Sequence, residues 1–100
     1  MIEKFDREKT VVQLLKEICD ASQEKLTIDD VGMEAVRLNY DELDLRLVPD
    51  DVQAQLPFWM IVYMMGIDDL VGYALVDDEQ TVLYAMGVLR DGQLLSKGGF

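Results

Sequence analysis

The sequence has no histidine, and this removes imidazole general-base catalysis and imidazole metal sites together. It has one cysteine, Cys19, so no internal disulfide forms, and a reducing cytoplasm is the simplest setting. The longest apolar run, FWMIVYMMGI at 58–67, is about half of what a membrane-spanning helix requires and reads as a buried strand. The N-terminal MIEKFDREKT lacks an apolar signal core, so nothing marks the chain for export. Glycine-rich phosphate loops are also missing, because Gly66, Gly72, Gly87 and Gly92 lie in expected strands and turns instead of opening a helix.

The absence that says most is lysine: none occurs between Lys25 and Lys97. Net charge is −11, and all of it lies in residues 26–80, where thirteen acids face only Arg37 and Arg46. Such a field repels nucleic acid and anionic membranes and attracts basic surfaces. Direct nucleic-acid binding needs cations to displace counterions, and this stretch lacks them.

What is present argues for a folded chain, since half of the 100 residues are hydrophobic. The length suits one domain, 1–100, with one modest core. Residues 6–24 read as an amphipathic helix with Asp6 as N-cap and Val11, Leu14, Leu15, Ile18 and Cys19 as its apolar stripe. Residues 1–5 pack beneath it or fray. LTIDDV at 26–31 suits a short first strand, EAVRLNY at 34–40 a second, and ELDLRLV at 42–48 shows the cleanest half-buried alternation. PDDVQAQLP at 49–57 is a turn or a short helix started by Asp50. FWMIVYMM, LVGYALV and TVLYAMGVL follow as three strands apolar on both faces, and Asp91–Gly92 signals a hairpin into QLLS. The expected class is α+β: the helix, with or without a second short one, packed on a mainly antiparallel sheet of five or six strands, one face under the helix and the other under something further.

The candidate chemistry is sparse. Cys19 sits on an apolar stripe with nothing nearby to lower its pKa, so an inert core thiol is the better reading than a nucleophile. Paired carboxylates serve glycoside hydrolysis, but a chain this small offers little room for a sugar cleft. Neither DELD at 41–44 nor DDEQ at 77–80 continues into a calcium-binding loop. No enzyme, metal or cofactor is expected.

The acidic clusters remain: Asp29–Asp30, Asp41–Glu42, Asp50–Asp51, Asp68–Asp69 and Asp77–Glu79. Turn chemistry explains aspartate but not the missing lysine. The sharper reading is a surface that imitates a nucleic-acid backbone. Duplex DNA carries about one charge per 1.7 Å, so this net charge equals roughly five or six base pairs. Alternate residues on a strand are about 6.6 Å apart, so a sheet could present carboxylates at phosphate-like intervals.

Several segments carry a resemblance. LPF at 56–58, VGYALVDDE at 71–79, VLYAM at 82–86 and VLRDGQLLSKGG at 88–99 follow an order similar to the C-terminal portion of the staphylococcal-type uracil-DNA glycosylase inhibitors. TIDDV at 27–31 resembles that family's acidic segment, and the N-terminal helix sits where the family has one. About half the chain is covered, and Leu26 stands where the family pattern leads one to expect a glutamate. The resemblance implies a small acidic cytoplasmic protein that fills a repair enzyme's DNA-binding groove. It implies carboxylates against that groove, with Asp29, Asp30 and Glu34 as candidates. It also implies an apolar pocket for an inserted hydrophobic side chain, for which Met33, Val36, Met60, Met64 and Met65 are candidates beside their ordinary reading as core. With Asp41, Glu42, Asp50, Asp51, Asp68 and Asp69, the three carboxylates would form one acidic face. The expected partner is a basic-grooved DNA-binding protein, uracil-DNA glycosylase first, with no nucleic acid and no membrane bound. Two alternatives stand beside it: an acidic adaptor or immunity-type protein for a basic partner unrelated to DNA, and a homo-oligomeric structural domain. Oligomeric state is left open.

Overall fold

The computed structural model describes residues 3–97. Helix α1 spans Arg7–Ser22 and starts where Asp6 accepts a bond from the Lys9 backbone N–H at 3.2 Å. It ends at Gln23, whose left-handed backbone (φ 58°) returns its N–H to the Cys19 carbonyl. Of the expected stripe, Leu14 and Ile18 are fully buried, each contributing about 1.5–3 kcal/mol of hydrophobic stabilisation. Val11, Leu15 and Cys19 flank them, partly buried.

The six strands are β1 (Glu3–Lys4), β2 (Gly32–Asn39), β3 (Trp59–Ile67), β4 (Leu70–Asp77), β5 (Val82–Arg90) and β6 (Gln93–Lys97). They form one antiparallel sheet in the order β1-β5-β4-β3-β2, with β6 also paired to β5. The expected α+β class is therefore the one observed. Glu3 and Lys4 pair with Leu83 and Val82, and Phe5, stacked on Tyr63, packs against the cluster beneath the helix as expected; Met1 and Ile2 fall outside the described residues. The β3–β4 and β5–β6 turns use left-handed backbone at Asp68 (φ 52°), Asp91 (φ 51°) and Gly92 (φ 78°), as tight hairpins require.

Pleating sends alternate side chains to opposite faces, so the sheet divides two clusters. Leu14 and Ile18 of α1 pack against Met65, Ala74, Leu83 and Met86 on one face. Gly72 permits this approach: a Cβ there would lie 3.2 Å from Ile18 Cδ1 and 3.3 Å from Leu14 Cδ2. On the other face Val48 and Val52 cover Met60, Val62, Tyr73 and Leu75.

Two expected strands are not strands. Residues 28–30 form a 3₁₀ turn, because Asp30 Oδ2 accepts bonds from both the Thr27 N–H (2.8 Å) and its hydroxyl (3.1 Å). The alternating ELDLRLV stretch also winds into 3₁₀ turns at Tyr40–Glu42 and Leu45–Leu47. Asn39 Oδ1 caps the first, and Asp44 accepts from the Arg46 N–H at 3.0 Å in the second. The buried Tyr73 hydroxyl donates to the Leu47 carbonyl at 2.6 Å, and Gln53 Nε2 donates to the Leu45 and Val48 carbonyls, both at 3.1 Å. These bonds fasten the segment across the second face. A short helix α2, Asp50–Gln53, follows Pro49. No helix among the described residues is long and apolar enough to cross a membrane.

Candidate protein-docking site

Gly32 of β2 pairs directly with Gly66 of β3, which leaves a stretch of sheet without side chains beside the exposed edge. The result is a depression of about 320 Å³ lined by Gly32, Met33, Glu34, Met64, Gly66 and Val71. Register places Glu34, Met64 and Val71 on the face that also carries Val62 and Tyr73. The space exists for want of side chains, with no strained backbone involved. A Cβ on Gly66 would meet only ordinary contacts, 3.6 Å to the Leu70 carbonyl and 3.9 Å to Val71 Cγ2.

Carboxylates surround this end of the sheet because β2 begins there and the β3–β4 turn closes there. Asp29 and Asp30 immediately precede β2; Asp68 and Asp69 sit between Ile67 and Leu70. Asp69 lies 3.6 Å from Arg90, which also donates to the Ala21 carbonyl at the end of α1 (2.7 Å). Asp30 is occupied by Thr27, whereas Asp29, Glu34 and Asp68 have no cation against them among the described residues. The two arginines of residues 26–80 are both held elsewhere. Arg46 pairs with Asp44 at 2.7 Å and Arg37 with Asp78 at 2.8 Å. The Arg46 side-chain bond holds the Asp44 carboxyl below the usual carboxylate range, and the Arg37 side-chain bond does the same for Asp78.

The structure thus gathers Asp29, Asp30, Met33, Glu34, Met64, Asp68 and Asp69, and separates the rest. Asp41 and Glu42 follow the far end of β2, eight residues and about 26 Å away. Asp50 and Asp51 occupy the first turn of α2. Asp77, Asp78 and Glu79 close the β4–β5 turn, again at the far end. The nine expected carboxylates therefore do not gather at one end of the sheet. Nor do they follow phosphate-like spacing along strands, since only Glu3, Glu34 and Asp77 lie within strands at all.

The five expected pocket residues also part company. Met60 and Met65 are both 0 % exposed and belong to the clusters on opposite faces. Val36 is exposed further along β2; of the five, Met64 lines the depression on its own face, and Met33 borders it from the edge, its register setting the side chain on the opposite face. The glycine pair that creates the depression has no signal in the sequence by itself, since GM at 32–33 and MG at 65–66 meet only through the β2–β3 register. A second exposed feature is Phe58, edge-on to Trp59. Comparison with protein-family models, with curated proteins and with solved structures gave no match to this chain.

Proposed function

We propose that this protein is a stoichiometric inhibitor that offers carboxylates in place of DNA phosphates to the basic groove of a DNA-binding enzyme. The observation that carries the reading is an apolar depression lined by Glu34 at the end of the sheet where Asp29, Asp30, Asp68 and Asp69 also lie, with Arg90 against Asp69 as the one cation paired there among the described residues. The carboxylates attract the groove, and the depression receives an apolar side chain projecting from it. Burying such a side chain adds about 1.5–3 kcal/mol that charge alone does not supply. The partial resemblance makes uracil-DNA glycosylase the first target, in the cytoplasm. The chain itself performs no chemistry in this reading.

The test is a titration into a uracil-excision assay with a bacterial uracil-DNA glycosylase and a uracil-containing oligonucleotide. Loss of activity near equimolar protein is expected, and full activity at large excess sinks the target. An acidic adaptor for a basic partner unrelated to DNA is the second reading. It is favoured by the carboxylates of Asp41–Glu42, which follow the far end of β2 from the depression. A mimic's partner must lose DNA as the protein binds, whereas an adaptor's partner keeps it.

A further inference from the structure

Strand β2 ends the sheet, and among the described residues β3 is its one neighbouring strand. Their register runs unbroken from Gly32↔Gly66 to Asn39↔Trp59, and the next residue continues it: the Tyr40 N–H donates to the Phe58 carbonyl at 2.7 Å. Bonded and non-bonded pairs alternate in an antiparallel ladder. The even-numbered residues of β2 therefore bond to β3, and the N–H and C=O groups of Met33, Ala35 and Arg37 point outward. The Asn39 N–H points outward too, but the Glu42 carboxylate accepts it at 3.0 Å and closes that end. No other bond engages the main chain of Met33, Ala35 or Arg37 among the described residues.

Open edges are normally blunted by proline, lysine, a bulge or an inward charge. β2 has no proline, no lysine and no register shift, and its two charged residues, Glu34 and Arg37, are exposed instead of turned into the core. On the sheet's other side, β6 joins β5 through a shifted register. Met33 and Val36, 44 % and 40 % exposed, add apolar surface on opposite faces of the same edge.

We infer that the outer edge of β2 is a strand-addition site for an extended segment of a protein partner, flanked by lysine or arginine. Charge selects the occupant. Asp29–Asp30 precede the edge, Glu34 lies on it and Asp41 follows it, while its one cation, Arg37, is held by Asp78. A second copy of this chain is the wrong occupant. Antiparallel pairing of two β2 strands about Ala35 or Val36 sets Asp29–Asp30 of one copy near Asp41–Glu42 of the other, and like charges repel. A basic segment makes the same main-chain bonds with attraction at both ends. The inference does not rest on DNA mimicry, because it uses the main-chain edge and not the depression.

The test uses the full chain and three synthetic peptides. One has an alternating valine–threonine core flanked by lysine pairs, one has the same core flanked by glutamate pairs, and one is the lysine peptide with its core amides N-methylated. Fluorescence anisotropy reads affinity and amide proton exchange reads position. The lysine peptide is expected to bind about tenfold or more tighter than the other two. It should slow exchange at Met33, Ala35 and Arg37. Ala35→Pro removes a central outward N–H without touching a bond to β3, and should weaken binding by about tenfold. The methylated peptide reads the same point on the unaltered protein should that variant misfold. Failure of the lysine peptide to bind, or equal binding of its methylated form, overturns the proposal. So does slow exchange at those three amides in the peptide-free protein together with a dimer in sedimentation. Inhibition of a DNA enzyme alongside failure here would leave the mimic reading standing without this one.

Discussion

The guanidinium of Arg37 lies over the indole of Trp59, its Cζ 3.9 Å from the ring centroid, and donates to both oxygens of Asp78 at 2.8 and 3.2 Å. Arg37 on β2 and Trp59 on β3 share a face, and Asp78 reaches them from the β4–β5 turn. The cation of the open edge is therefore engaged twice, and its pKa is raised by the side-chain bond to Asp78. Both charged partners are about half exposed, so solvent screens the pair.

Trp59 is the chain's one tryptophan, which makes the stack readable by fluorescence. Arg37→Ala should change the Trp59 emission while moving the thermal midpoint by no more than about 2 °C. A larger loss of midpoint would mean that the stack contributes to holding β2 on β3.

The two ends of the sheet should behave differently toward a basic partner. Asp29→Asn with Asp68→Asn removes two carboxylates beside the depression, and asparagine tolerates the left-handed backbone at Asp68. Association should slow by about tenfold at low salt, with a smaller effect at high salt. Asp41→Asn with Glu42→Gln, beyond the far end of β2, makes the same change in charge away from the depression and should slow it far less. Equal effects from the two pairs would reduce the site to net charge.

Gly66→Val fills the depression at a position where a Cβ meets only ordinary contacts. The fold should survive, because valine suits a strand, while inhibition weakens by about tenfold or more. Unchanged inhibition would remove the depression from the mechanism.

Asp77 gives the acid limb of stability a defined cause. Burial raises its pKa, but bonds from the Val82 N–H, the Thr81 hydroxyl and the Thr81 N–H outweigh that and leave it below the ordinary aspartate value of 3.8. The unfolded chain therefore takes up this proton first as pH falls. The contribution is present in full above about pH 4 and is lost as pH falls through the folded value. Asp77→Asn keeps an acceptor for both backbone donors and removes the titration. Urea midpoints measured from about pH 5 to pH 2 should fall less steeply for the variant than for the parent protein.

The contact between Gly72 and α1 predicts a coupling. Gly72→Ala crowds Ile18 Cδ1 and Leu14 Cδ2, and Ile18→Val deletes the first of these atoms. The cost of Gly72→Ala, about 1–3 kcal/mol, should shrink in the Ile18→Val background. Additive effects would show that the helix shifts as a body instead.

The helix, the three-strand meander and the last hairpin were legible because each has its own local signals: the Asp6 cap, the stripe at Leu14 and Ile18, and the turn residues at Asp68, Asp69, Asp91 and Gly92. Residues 42–48 misled, because Leu43, Leu45 and Leu47 are partly buried by 3₁₀ turns whose spacing imitates a pleat. The acidic clusters were legible as turns but not as a surface. In an antiparallel meander successive turns close opposite ends, so Asp68–Asp69 and Asp77–Glu79, neighbours in the sequence, end up a strand's length apart. The depression was illegible for a related reason, since two glycines meet only through the β2–β3 register.

Helix α1 is made before the strands that cover it. Leu14 and Ile18 pack mainly on β4 and β5, and β1 pairs with β5, so this segment lacks most of its native cover until residues 70–90 have left the ribosome. Until then its apolar stripe faces solvent, or any chaperone that takes such surfaces. Contacts of such sequence separation place folding on a scale of milliseconds to seconds. A nascent chain stalled before residue 60 would present a helix without the sheet that covers it.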